Sequence, residues 1–523
     1  MVELMISFTF PLQFAHMKKV PALIIACCVF IVNIQAQPSF IKDSLDNYIN
    51  EGLKDWNIPG LAIAIVKDGK VVVAKGYGVR SIKTKDSVNE NTLFLIASNT
   101  KLFTGTALAQ LDVDKKLSLD DKVTQYLKMY KLYDNDATEL LTIKDLMGHH
   151  IGTKTFQGDF TFWNSKLSRL EIMSRMSLLK PSLLFRAEFG YCNSCFLTAG
   201  EVIPIVTKKP WEVYVYDSII TPLDLKRTYT LSNVIAIDKN AATPYTTAFG
   251  GQLTQLPYDQ LFSLAPAAGM VSCVNDLAKW LILQLDSGRY DGKQIVEWNA
   301  LKKTREINTV ISGKRNDTHT SPFEGYGLGI FVTDDSGKVI YWHTGGADGF
   351  VSNTCFVPDE KLGIVILTNN DNQDFFELLR HQVLNAYLNE PYKNLSKERL
   401  PSFLKEQDEK NKKITAWNAR LKTAKQPPLK LYDYEGTYKN DLYGAITLAS
   451  QDDNSLTIKF KNHPSLKATL RYMDHDEWLL TYNNMAYGIF STHFKIQKRK
   501  IVSFDLKVSD FIEYDPYTFT KEE

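Results

Sequence analysis

The long helical stretch between two strand-rich blocks constrains this chain most. In "LAIAIVKDGKVVVAKGYG" (61–78) two β-rich runs meet through Asp68-Gly69, a pair suited to the positive φ that a two-residue hairpin turn requires at both positions. Helical spacing then dominates from 98 to about 288. In "SCVNDLAKWLILQL" Leu277, Trp280, Leu281 and Leu285 recur at helical intervals, and Ser272 is placed to cap the N-terminus. Strands return after Gly337 as "KVIYWHTGG", "GFVSNTCFVP" and "KLGIVILTNN", with turns expected at Gly345-Gly346 and Pro358-Asp359, and a helix-like "DFFELLRHQVLNAYL" follows. With an amphipathic helix at 38–55, the order is helix, two strands, helical insert, three strands, helix. This predicts an α/β (α+β) fold: a five-stranded antiparallel sheet assembled from both ends of the chain, flanked by terminal helices, with an α-rich lobe inserted and a cleft between the two.

The remainder divides by composition. Residues 391–428 are rich in Lys, Glu, Asn and Gln and read as an exposed helical linker, and 429–523 are short alternating strands suited to a separate small barrel or sandwich. Lys18 and Lys19 before the apolar Val20–Ile34, with Ala36 closing a cleavage site, read as an export signal over 1–36. The destination is then periplasmic or extracellular, and Ile24-Ile25-Ala26-Cys27 offers a lipid tether to the membrane through Cys27. No later stretch approaches the ~20 apolar residues that a bilayer demands. The 61 basic side chains nearly cancel 59 acidic ones and form no long basic block, which argues against nucleic acid as a partner.

Ser98-x-x-Lys101 begins the helical block, after the apolar run Leu93–Ala97, and puts a hydroxyl and an amine on one helical face. Spacing alone is weak, because Ser39/Lys42, Ser177/Lys180 and Ser402/Lys405 share it. Ser98 differs in having two downstream companions. Tyr191-x-Asn193 lies in a tight connection after Gly190, and His343-Thr344-Gly345-Gly346 lies where a strand meets glycines. His149-His150 cannot share one helical face, so a metal reading fails there. The Cys192-x-x-Cys195 pair lacks a second ligand pair and reads as two buried thiols. Gly-x-Ser-x-Gly, His-Glu-x-x-His and a phosphate-cradling glycine loop are all missing, so neither metal nor cofactor is expected.

In that order and on that layout, the three motifs resemble the serine β-lactamase and penicillin-binding-protein superfamily, nearest the branch holding class C β-lactamases, D-alanyl-D-alanine carboxypeptidases, D-aminopeptidases and related esterases. "TIKDLMGHHIG", "TPLDLKRTY", "PAAGMVSCVNDLAKW" and "FVPDEKLGIVILTN" extend the likeness over about 40–390, making 37–390 the hydrolase domain. "LYDYEGTY" and the strand texture after it resemble a lipocalin-like β domain. The resemblance implies that Ser98 forms an acyl-enzyme, with Lys101 or Tyr191 removing its proton. Asn193 would bond the substrate amide or orient Lys101, the backbone N–H groups of Ser98 and Gly346 would form an oxyanion hole, and His149 would pack. His343 stands where most β-lactamases carry lysine; a histidine titrating near neutrality anchors a carboxylate less well, which favours peptidase or esterase activity over β-lactam hydrolysis. Expected substrates are small peptides, esters or β-lactams, with D-amino-acid peptides of cell-wall type foremost. Carboxylesterase or β-lactamase activity is an alternative, as is a penicillin-binding sensor that acylates without turnover. The chemistry sets one demand: bringing a lysine of pKa ~10.4 to neutrality at pH 7 costs about 4.6 kcal/mol, which the site must supply.

Overall fold

The computed structural model describes residues 37–312, 323–335, 337–452 and 454–522. The expected export signal and Cys27 lie outside these residues. The first strands, Gly60–Lys67 and Lys70–Gly78, form the expected hairpin, with Asp68 at φ 51° and Gly69 at φ 74°. Gly60–Lys67 is buried almost throughout because Leu362–Thr368 pairs along its other edge, joining the two ends of the domain in one sheet. Pairing continues antiparallel through Phe350–Val357 and Lys338–Ala347.

The sheet does not stop at five strands. Among the described residues it has eight, extended by Phe331–Asp335, Glu324–Tyr326 and Thr309–Ser312. These three escape the sequence pattern because each is too short to show alternation, and Gly325, Gly327 and Gly329 interrupt the run. The turn expected at Gly345-Gly346 is also corrected. Both glycines continue the strand, paired with Ser352 and Val351, and the chain reverses at Asp348-Gly349, where Gly349 takes φ 78°. The capping position is corrected too: the helix Val274–Leu285 starts after Cys273, while Ser272 pairs with Phe94 in a two-residue strand.

One face of the sheet packs on the terminal helices Leu45–Asp55 and Phe375–Tyr387, through Ile49, Leu61, Ile63, Phe375 and Leu379. The other face packs on the inserted lobe, where Trp280 stacks on Phe103 at 4.1 Å. The polar stretch forms the helix Leu395–Leu421. It ties both ends of the molecule, since Trp56 Nε1 donates to Ser396 Oγ at 2.8 Å and Arg420 Nε donates to Asp474 Oδ1 at 3.0 Å.

Residues beyond Gly436 close into an eight-stranded barrel in which sequence neighbours are also spatial neighbours, so no strand edge is left open. Tyr434, Tyr438, Trp478, Phe494 and Phe504 fill its centre. Phe160 of the inserted lobe reaches into that core, stacked on Tyr443 at 5.0 Å and on His463 at 5.4 Å. Removing a buried aromatic ring costs about 3–5 kcal/mol, so Phe160→Ala is expected to lose that much stability in chemical denaturation; a loss under ~1 kcal/mol contradicts the packing described.

Candidate active site

Ser98 lies in a single 3₁₀ turn, Ala97–Asn99, that leads into the helix Thr100–Val113. Ala97 has φ 45°, a left-handed conformation that costs a residue with a β-carbon about 1–2 kcal/mol. Packing holds this strained turn. Asn99 Nδ2 donates to Ser352 Oγ at 2.8 Å, Asn99 Oδ1 accepts from Thr354 Oγ1, and Ser352 Oγ donates to the Ile96 carbonyl at 2.6 Å. The turn that carries Ser98 is therefore fastened to the strand Phe350–Val357. Gly345 permits this approach, since a β-carbon there would lie 2.1 Å from the Ile96 carbonyl oxygen.

Lys101 follows one turn later and is wholly buried. Its Nζ lies 3.1 Å from Ser98 Oγ, 2.7 Å from Asn193 Oδ1 and 3.0 Å from the Ala267 carbonyl. Burial pulls its pKa down from 10.5 to about 7, against the opposing pull of the Asp159 carboxyl. A charged ammonium would donate to all three acceptors. A neutral amine would donate to Asn193 and Ala267 and offer its lone pair to the Ser98 hydroxyl. Both states fit one set of heavy-atom positions, so a proton can pass between Ser98 and Lys101 without rearrangement.

Asn193 opens the helix Asn193–Gly200, and its Nδ2 donates to Asp159 Oδ2 at 2.6 Å. Asp159 carries no sequence motif. Burial pushes its carboxyl up to about 8, helped by Cys192 and opposed by the bond from Asn193 and by Lys101. Tyr191 places its ring over Lys101, with Nζ 4.6 Å from the centroid. Its buried hydroxyl faces Ser98 without a hydrogen bond of normal geometry, and burial pushes the phenol far up, only partly offset by Ser98. It remains protonated at any physiological pH. His149 packs beneath at 4.4 Å between rings, and its Nδ1 accepts from the Cys192 backbone N–H at 3.1 Å. Cys192 and Cys195 are buried and unbridged.

His343 departs from expectation. Rather than titrating near neutrality it is held down to about 3 by burial and by the nearby Lys101. Its Nδ1 lies 2.8 Å from the Thr344 carbonyl, which can only accept, so Nδ1 carries the proton and Nε2 accepts from the Tyr326 hydroxyl at 3.0 Å. Both ring nitrogens are committed and the ring is neutral. Thr344 Oγ1 accepts from Asn353 Nδ2 at 2.9 Å. Among the described residues, strand pairing on the Phe331–Asp335 side ends at Trp342, which leaves 343–347 with an unpaired strand edge beside Ser98.

These residues meet at one cleft of about 480 Å³. Ser98, Tyr191, Asn193, His343, Thr344 and Gly346 line it, Lys101 lies beneath Ser98, and Gly345 backs onto the turn that carries Ser98. The outer walls are aromatic: Phe156, Phe189, Phe331, Trp342 and Phe376. The last wall comes from the barrel, whose Asp510–Ile512 and Tyr514 cover the cleft; a β-carbon on Gly346 would lie 2.7 Å from the Phe511 ring. Among the described lining residues none is Lys or Arg.

A family profile described as "Beta-lactamase" matches residues 45–388, which include every one of the expected site residues. The chain belongs to the beta-lactamase family. That family consists in general of serine hydrolases acting on small amide, ester or β-lactam substrates. A second profile, "Domain of unknown function (DUF3471)", matches 421–521. The chain is 29% identical to "Protein flp" of Staphylococcus aureus (strain MW2), over 66% of this chain and 67% of that one. It is 26% identical to "Unguisins hydrolase ungD'" of Aspergillus campestris, over 78% of each. The octameric penicillin-binding protein homologue from Pyrococcus abyssi has the same fold, with a TM-score of 0.58 at 21% identity, covering 91% of this chain and 99% of that one.

For this beta-lactamase-family site, the burial of Lys101 gives a pH prediction. Phosphonylation of Ser98 by a fluorophosphonate, with loss of fluoride, should rise with pH through a midpoint near 7 as Lys101 loses its proton. Lys101→Ala should slow that labelling by ~10² or more, as expected for a lost proton-transfer group. A pH-independent rate between 5 and 9 would contradict the assignment.

Proposed function

We propose that the protein is a serine hydrolase that cleaves peptide-like amides or esters through a Ser98 acyl-enzyme, with D-amino-acid amides and peptides that carry no free carboxylate beside the scissile bond as the leading substrate class. The observation that carries this is the Lys101 amine held at 3.1 Å from Ser98 Oγ by two other acceptors. In the proposed reaction Ser98 Oγ attacks the carbonyl carbon while its proton moves to the neutral Lys101. The carbonyl oxygen, now negative, is received by the backbone N–H groups of Ser98 and Gly346, each typically worth about 2.7–4 kcal/mol of barrier. The proton taken up by Lys101 then passes by way of the protonated Tyr191, which is directed at Ser98, to the leaving amine or alcohol as its bond to the carbonyl carbon breaks and the acyl-enzyme forms. Water then attacks the acyl-enzyme, and Lys101 and Tyr191 act in reverse.

The lining refines the substrate. A cleft with a neutral His343 and no Lys or Arg among its described residues has no cation to hold a terminal carboxylate. Aromatic walls instead favour bulky apolar groups on either side of the scissile bond. This supports amides and esters without a free carboxylate near the reacting carbonyl over D-Ala-D-Ala carboxypeptidase or β-lactam substrates. The same apolar lining makes carboxylesterase activity the second reading. Lys18-Lys19 and Val20–Ile34 support a site of action beyond the cytoplasmic membrane, with Cys27 as the residue that would carry a lipid. Among the described residues no helix is long and apolar enough to cross a membrane.

The test is a purified-protein screen with p-nitrophenyl esters, D-amino-acid p-nitroanilides, D-Ala-D-Ala peptides and nitrocefin, beside Ser98→Ala. The expected result is turnover of the first two classes, rising with apolar bulk, little or none of the last two, and complete loss in Ser98→Ala. Turnover surviving in Ser98→Ala removes Ser98 from the mechanism, and preference for D-Ala-D-Ala overturns the substrate reading.

A further inference from the structure

The loop 507–516, between the last two strands of the barrel, does more than cover the cleft. Its Glu513 is buried, and its carboxyl spans residue 159 of the hydrolase lobe. Oε1 accepts from the Gly158 backbone N–H at 2.8 Å, and Oε2 accepts from the Phe160 N–H at 2.9 Å and from the Tyr517 hydroxyl at 2.8 Å. Neither N–H has an acceptor within its own short helix Asp159–Phe162, being part of its first turn. Three further contacts hold the same segment. Phe160 is seated in the barrel core, Thr161 Oγ1 donates to the Tyr517 hydroxyl at 3.1 Å, and the Trp163 carbonyl accepts from His463 Nε2 at 2.8 Å.

The residue straddled by this clamp is Asp159, the acceptor for Asn193 Nδ2 at 2.6 Å, and Asn193 Oδ1 in turn accepts from Lys101 Nζ at 2.7 Å. A chain of short polar contacts thus runs from the barrel to the amine beside Ser98. We infer that Glu513 is a positioning residue for the catalytic amine: by fixing Gly158 and Phe160 it fixes Asp159, and through Asn193 it holds Lys101 in line with Ser98. The inference rests on the proposed Ser98–Lys101 chemistry. It gives the barrel a part in the reaction rate, separate from the wall that Phe511 and Tyr514 add to the cleft.

Shortening the clamp leaves two N–H groups without their acceptor and frees Asp159 to shift. Displacements near 1 Å at a catalytic group cost up to about a hundredfold in rate. The experiment follows fluorophosphonate labelling of Ser98 in the full chain, separating the maximal rate from the probe concentration at half-maximal rate. Wild type, Glu513→Gln, Glu513→Ala and Ser98→Ala are compared. Glu513→Gln keeps one acceptor oxygen. The expected maximal rates fall in the order wild type, Gln, Ala, with Glu513→Ala down about tenfold to a hundredfold and the half-maximal concentration unchanged. Phe504→Leu, a barrel-core change outside the cleft, controls for stability: it should lower the melting temperature and keep the wild-type rate.

Equal maximal rates in wild type and both Glu513 variants overturn the inference. So does a rate loss matched by Phe504→Leu, which assigns the effect to barrel stability, or a loss confined to the half-maximal concentration, which leaves Glu513 as wall support. Failure of the underlying chemistry looks different: wild type is then unlabelled, or Ser98→Ala is labelled like wild type.

Discussion

An amine enclosed by protein can keep its proton only where neighbouring charge repays the lost hydration, and at Lys101 the repayment is incomplete. Ser98 and the Asn193 and Ala267 carbonyl oxygens supply dipoles, and the nearby carboxyl of Asp159 is itself buried and reluctant to ionise. The balance leaves Lys101 able to exchange a proton near neutral pH. The rest of the site is arranged around that balance. Tyr191 and Phe196 cover the amine with rings, His149 packs beneath Tyr191, and His343 is stripped of charge by the same burial, so no second cation forms beside the first.

The two-domain architecture serves the same end. The sheet, sewn together from both ends of the chain, provides a strand behind Ser98, and Asn99, Ser352 and Thr354 fasten it to the strained turn at Ala97. The barrel closes the opposite side. Its centre is packed with aromatic side chains, so its contribution to the site is made by the rim: Phe511 and Tyr514 at the cleft, and Asn484, which donates to Asp348 Oδ2 at 3.1 Å beside the end of the His343 strand. The same domain reaches 158–163 through Glu513 and His463.

Much of this was legible in the sequence because it is written locally. Asp68-Gly69 announces its hairpin, Leu277 to Leu285 announce their helix, and Ser98 with Lys101 shares a helical face before any tertiary contact exists. Of the eight expected site residues, six line one cleft, Lys101 lies beneath Ser98 and Gly345 backs onto the turn that carries it. What stayed hidden depends on distance and burial. Asp159, Asn99 and Glu513 have no spacing motif, since Glu513 meets Gly158 across 355 positions. The charge state of His343 follows from an enclosure that composition does not reveal. The missed turn at Asp348-Gly349 is instructive in another way: it carries the same Asp-Gly pair as the first hairpin, but the glycines just before it matched the turn pattern too, and only strand register distinguishes them.

The central claim is that burial makes Lys101 neutral near physiological pH while it remains hydrogen-bonded to the nucleophile. The most direct measurement is an NMR titration of protein labelled at the lysine ε-carbon, with Lys101→Arg used to assign the resonance. A Lys101 signal that titrates with a midpoint close to 7 is the predicted result. A midpoint above about 10, in the range of a solvated lysine, would contradict the account.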